Sequence, residues 1–134
     1  MIKNAGRQRG VIAEQVITFA DFIAAGSGVA LPAIDIPGDA IIDKVRVFVD
    51  TAFNSGTSDV VVVGDGNSTN RLVTSTSIQA AGSIVGVAGA ECFPYIVPDT
   101  VDVIWTGVGT APTAGSLRVI VFYHESKCAD FTQR

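Results

Sequence analysis

"IIDKVRVFVDTAFNSGTSDVVVVG", residues 41–64, decides the fold class. Val45, Val47 and Val49 are apolar, while Lys44, Arg46 and Asp50 between and beside them are charged. Successive side chains of a strand point to opposite faces of a sheet, so this alternation reads as a strand with one buried face. Phe48 breaks the polar face and marks a candidate contact. "NSGTS" reads as a hairpin turn, because Asn, Ser and Gly suit tight turns, and "DVVVVG" reads as the returning strand.

The same pattern extends in both directions. "QVITFADFI" (15–23) is rich in β-branched and aromatic residues and reads as a strand. "AIDI" (33–36), flanked by Pro32 and Pro37, reads as a short edge strand. Downstream come "RLVTSTS", "SIVGVAG" and "CFPYIV", with one helical turn expected in "IQAAG" (78–82). In "TVDVIWTGVG", Val101, Val103 and Trp105 share one face and Asp102 and Thr106 the other. "TAPTAGS" is a turn, and "LRVIVFYHE" places Leu117, Val119, Val121 and Tyr123 on one face. Val47 and Trp105 are expected in the core. About seven or eight short strands, without crossover helices, imply an all-β fold: a single antiparallel β-sandwich, jelly-roll-like. Residues 11–125 form that domain, 1–10 a flexible N-terminal arm and 126–134 a C-terminal tail.

Composition narrows the function. The chain has 134 residues, one domain's worth, and only 16% are charged, against about 25% in a typical domain. A surface so sparsely charged is covered by Ser, Thr and Gly or buried by other subunits. The net charge of −4 does not suit a nucleic-acid binder. No apolar run is long enough for a signal peptide or a membrane span. Cys92 and Cys128 are two cysteines only, which read as reduced thiols rather than a disulfide framework.

Each candidate site weakens on inspection. In "VVVGDGNSTNRLV" (60–72), Asp65, Asn67 and Thr69 are spaced like the first ligands of a calcium loop. Such a loop needs Gly where this chain has Asn70 and Glu where it has Thr76, so a strand–turn–strand reading is preferred. Asn67-Ser68-Thr69 is a formal glycosylation sequon, inert without secretion. His124, beside Glu125 and near Cys128, suggests a Cys–His pair, but no Gly-rich oxyanion loop accompanies it. Glu14, Glu91 and Glu125 are the only glutamates available for paired acid–base work. Phe93, Tyr95 and Trp105 suggest a stacking platform, although Trp105 shares its face with core valines. The reading is therefore non-enzymatic, with no catalytic residue, metal or cofactor.

Two stretches carry a resemblance. "VRVFVDTAFNSGTSDVVVVGDGNSTNRLV" and "VDVIWTGVGTAPTAGSLRVIVFYH" resemble the small β-rich virion proteins of tailed bacteriophages, over about residues 37–124. Within that class, size, apolar composition and the N-terminal arm are most similar to capsid decoration, or cement, proteins. The resemblance implies a structural role on the capsid exterior after synthesis in the host cytoplasm. It implies a homotrimer whose partner is the major capsid protein, with neither nucleic acid nor membrane involved. A tail, neck or head-fibre subunit is the alternative, and a carbohydrate-binding module a further one. The arm carries Lys3, Arg7 and Arg9 and no acidic residue, so these three are the candidate protein-interaction residues.

Overall fold

The computed structural model describes residues 10–86 and 93–125. Among these residues, nine strands and one short helix follow one another: β1 (Gly10–Thr18), α1 (Phe19–Ala25), β2 (Ala30–Ile36), β3 (Ala40–Thr51), β4 (Ser58–Gly64), β5 (Val73–Ser77), β6 (Gly82–Val85), β7 (Phe93–Tyr95), β8 (Asp99–Val108) and β9 (Ser116–Glu125). The expected tail, and the expected arm apart from Gly10, lie outside the described residues, as do Cys92 and Cys128.

The strands form two antiparallel sheets, as the alternation predicts. Sheet A runs β1-β9-β3-β6, with β7 pairing the other half of β3's outer edge. Sheet B runs β2-β8-β4-β5. Since β6 and β7 share one edge, the nine strands fill eight positions. First beside last in one sheet, and second beside second-to-last in the other, is the order of a jelly roll.

Alternation puts one face of every long strand inside. Val45, Val47 and Val49 of β3, beside Leu117, Val119 and Val121 of β9 in the same sheet, face Val61 and Val63 of β4 and Val101 and Val103 of β8, all buried. Trp105 is in this core as expected, 6% exposed. Phe48 does mark a contact: the Arg118 guanidinium lies 5.2 Å from its ring centre.

Three local expectations fail. The strand expected over 15–23 ends at Thr18, and Phe19–Ala25 is helical. The Asp21 carboxylate accepts hydrogen bonds from the Thr18 backbone N–H (2.8 Å) and the Thr18 hydroxyl (2.9 Å). This local cap competes with the strand and wins. "NSGTS" is not a hairpin turn, because β3 and β4 lie in different sheets; the turn "TAPTAGS" likewise carries the chain from one sheet to the other, between β8 and β9. Both segments arch over the end of the sandwich, because each strand's apolar face needs the opposite sheet, not its sequence neighbour. The helical turn expected at 78–82 is absent. Ile78 is buried there, its N–H bonded to the Asp59 carbonyl and its carbonyl to the Phe53 N–H.

Candidate assembly surface

Two buried carboxylates brace the ends of the sandwich. At the end carrying α1, Asp59 is fully buried and accepts four hydrogen bonds: from Ser55 N–H (2.8 Å), Ser55 hydroxyl (2.5 Å), Trp105 Nε1 (2.8 Å) and Gln79 Nε2 (3.2 Å). Burial pushes its pKa up, but the bonds from Ser55, Trp105 and Gln79 outweigh that and hold it below the ordinary value. Phe22 of α1 stacks on Trp105 at 5.8 Å and meets Phe53 at 5.7 Å, capping the core. Burying one such phenyl ring contributes about 1.5–3 kcal/mol.

The β4–β5 hairpin closes the other end around Asp65. Its carboxylate accepts from Asn67 N–H (2.9 Å), Ser68 N–H (2.8 Å), Arg71 Nε (2.6 Å) and Tyr95 hydroxyl (2.8 Å). Burial raises its pKa, while Tyr95, the two backbone N–H groups and Arg71 together pull it below the ordinary value. Tyr95 is pushed the other way, by burial first and by the adjacent Asp65 carboxylate second. The Arg71 guanidinium also covers Phe93 at 4.1 Å, and Phe93 meets Tyr95 edge-on at 5.0 Å. The Asp-Gly-Asn-Ser cluster therefore turns the chain, and its carboxylate is spent on donors of the protein itself.

The remaining sequence candidates are scattered. His124 Nδ1 lies 3.0 Å from an Asp43 carboxylate oxygen, on the outer side of sheet A. Glu14 faces solvent 4.0 Å from Arg118, which pairs more closely with Asp50 at 2.8 Å. Glu91 lies outside the described residues, as do Lys3, Arg7 and Arg9. Phe93 and Tyr95 sit at the Asp65 end and Trp105 near the Asp59 end, so the three form no platform. Among the described residues, Asp59 and Asp65 are the buried carboxylates, and both brace the fold.

The surface is divided by charge. Of the four described Lys and Arg residues, Lys44, Arg46 and Arg118 stand on the outer face of sheet A, and Arg71 is in the hairpin. Among them sit the exposed Ile12 and Val16 of β1 and Val85 of β6, and Lys44 lies over the Phe122 ring at 4.6 Å. The outer face of sheet B has no described cation. It carries Asp35, Asp102, Thr100 and Thr106 around the half-buried Val60, Val62 and Ile104. Between β7 and β8, Ile96 and Val97 are 81% and 65% exposed. Sequence patterning misses this pair, because two adjacent aliphatics in a loop have no period to betray which way they point.

No protein-family model and no curated protein matches the sequence. Solved structures do match in fold. A chain of the cyanophage Pam1 capsid asymmetric unit superposes with a TM-score of 0.72 at 17% identity, over 92% of each chain. A chain from the capsid of Ralstonia phage GP4 gives 0.64 at 18% identity, over 94% of this chain and 90% of the other. One from the acidic stable capsid of Helicobacter pylori bacteriophage KHP30 gives 0.60 at 15% identity, over 88% and 93%. At these identities the likeness establishes a common fold across nearly the whole of both chains.

Proposed function

We propose that this chain is a non-enzymatic structural protein of a phage particle that binds the assembled capsid and stabilises it as a decoration protein. The observation that carries the reading is the end-to-end match of its jelly roll with chains found in three phage capsids. The site geometry agrees: the buried carboxylates are saturated by structural donors, and the exposed apolar residues lie on sheet faces, loops and α1. The partners are a second and third copy of the chain and the major capsid protein, on the outside of the shell.

The physics of such a role needs no catalysis. A protein that binds only the assembled lattice stabilises that lattice by mass action. Three weak contacts held on one trimer reinforce one another through effective concentration. Sedimentation of the purified protein and cryo-electron microscopy of particles with and without it test the reading. Expected are a trimer in solution and added density on the outer capsid surface. A monomer without capsid affinity would sink the decoration role, and density confined to the tail or neck would assign the chain there.

A further inference from the structure

The end of the sandwich braced by Asp65 gathers more than loops. Gly10 pairs with His124 there, and Ala40 pairs with both Tyr95 and Glu125, so β1 begins and β9 ends at this end. An open concavity of about 580 Å³ lies at this end, where β2 and β8 come near β9, lined by Asp35, Ile36, Pro37, Pro98, Asp99 and Tyr123 among others. Among the described residues, no Lys or Arg lines it. Ile96 and Val97 stand beside it, most of their surface in water.

We propose that copies of this chain meet at this end, residues 1–9 of one copy lying against the Asp35–Asp99 concavity of the next. The inference rests on the oligomer proposed above and names its surface. Charge is the first argument: residues 1–9 hold Lys3, Arg7 and Arg9 without an acid, and the concavity holds Asp35 and Asp99 without a base. Position is the second. Val11 pairs with Tyr123, which lines the concavity, so the segment enters β1 at the edge of the site. Nine residues span at most roughly 30 Å, enough to reach a neighbour grouped about an axis at this end. Apolar surface is the third. Met1 and Ile2 suit the Ile36, Pro37 and Pro98 wall, but they are too few to cover Ile96 and Val97 as well, whereas a second copy covers both. Each copy gives one segment and receives one, the head-to-tail contact from which a closed ring is built.

Equal amounts of 15N-labelled and unlabelled full-length chains, dissociated in mild denaturant and reassembled, test this. A carbodiimide activates a touching carboxylate, the Lys3 amine displaces the activated oxygen to form an amide, and the reagent leaves as a urea, having taken up the elements of water. Mass spectrometry should find Lys3 joined to Asp35 or Asp99 in mixed-isotope pairs, with the yield falling several-fold in 1 M salt. Ile96→Asp and Val97→Asp should shift the protein towards monomer with unchanged circular dichroism, whereas Val108→Asp at the opposite end should not. Same-isotope links only, links mainly to Glu14 or Asp50, or an undiminished oligomer in both the Ile96→Asp and Val97→Asp variants would each overturn the proposal. The capsid role is read separately, by binding of the unmodified protein to particles.

Discussion

The indole Nε1 of Trp105 donates to the Asp59 carboxylate at 2.8 Å, joining β8 to the start of β4 across 46 residues of sequence. The bond satisfies two groups that burial would otherwise penalise, a ring N–H and a charge. It also holds the indole flat against Phe22. Packing and hydrogen bonding at this position can be separated. Trp105→Ala should cost about 3–5 kcal/mol. Trp105→Phe keeps most of the packing, leaves Asp59 three of its donors, and should cost about 1–2 kcal/mol. Urea unfolding measures both, and a loss below about 1 kcal/mol for the alanine variant would contradict the burial.

Tyr95 and Asp65 form the matching pair at the other end. Tyr95→Phe removes one charge-assisted bond and should cost about 1.5–3 kcal/mol. Asp65→Asn should cost more, because the amide nitrogen cannot accept and so leaves donors of the hairpin unpaired. Equal losses for the two variants would show that the carboxylate's other three bonds contribute nothing.

Both carboxylates make stability depend on acid. Their folded pKa values lie below the ordinary 3.8, so the folded state binds fewer protons than the unfolded chain as the pH falls towards that value. Their contribution is therefore complete above about pH 5 and is lost as the pH drops through their folded values. Urea midpoints should fall steadily below pH 4, with a shallower slope in Asp59→Asn. An Asp59→Asn slope equal to that of the unaltered protein would show that this carboxylate is not part of the acid response.

Gly64 has no room for a side chain. A Cβ there would collide with the Ser68 carbonyl oxygen and the Thr69 backbone, which cross over it in the hairpin. Gly64→Ala should displace the turn and cost more than about 2 kcal/mol, read as a lower thermal midpoint. Gly10→Ala meets no atom within 4 Å and serves as the control, with no measurable change.

The sequence shows which residues face inward but not which strand each one pairs with. Alternation in β3, β8 and β9 identifies the core valines and Trp105 directly. Pairing is non-local, and a turn-forming segment such as "NSGTS" looks the same whether it folds a strand back beside its neighbour or carries it to the other sheet. Only the buried Asp59 distinguishes the two, and its neighbours in sequence, Ser58 and Val60, do not announce that it is buried. The helix after Thr18 is legible in hindsight from Thr18 and Asp21, three apart, but the β-branched run before it hides the signal. At the surface, the division of charge between the sheets follows from alternation once pairing is known. The exposed Ile96 and Val97 follow from no pattern at all.

The position of β9 between β1 and β3 has a consequence for how the protein is made. On the ribosome, both flanking strands emerge long before the strand that joins them, and sheet A waits for it. The β4–β5 hairpin, in which nine residues separate the paired Val63 and Val73, makes its ladder from neighbours in sequence and is the natural first element to form, Tyr95 bonding to it later. Folding is then limited by the arrival and docking of the last strand, in the millisecond-to-second range usual for sandwiches of high contact order. Until that moment the nascent chain displays the unpaired edges of β1 and β3 together, so its period of greatest vulnerability to aggregation lasts until β9 has emerged and docked.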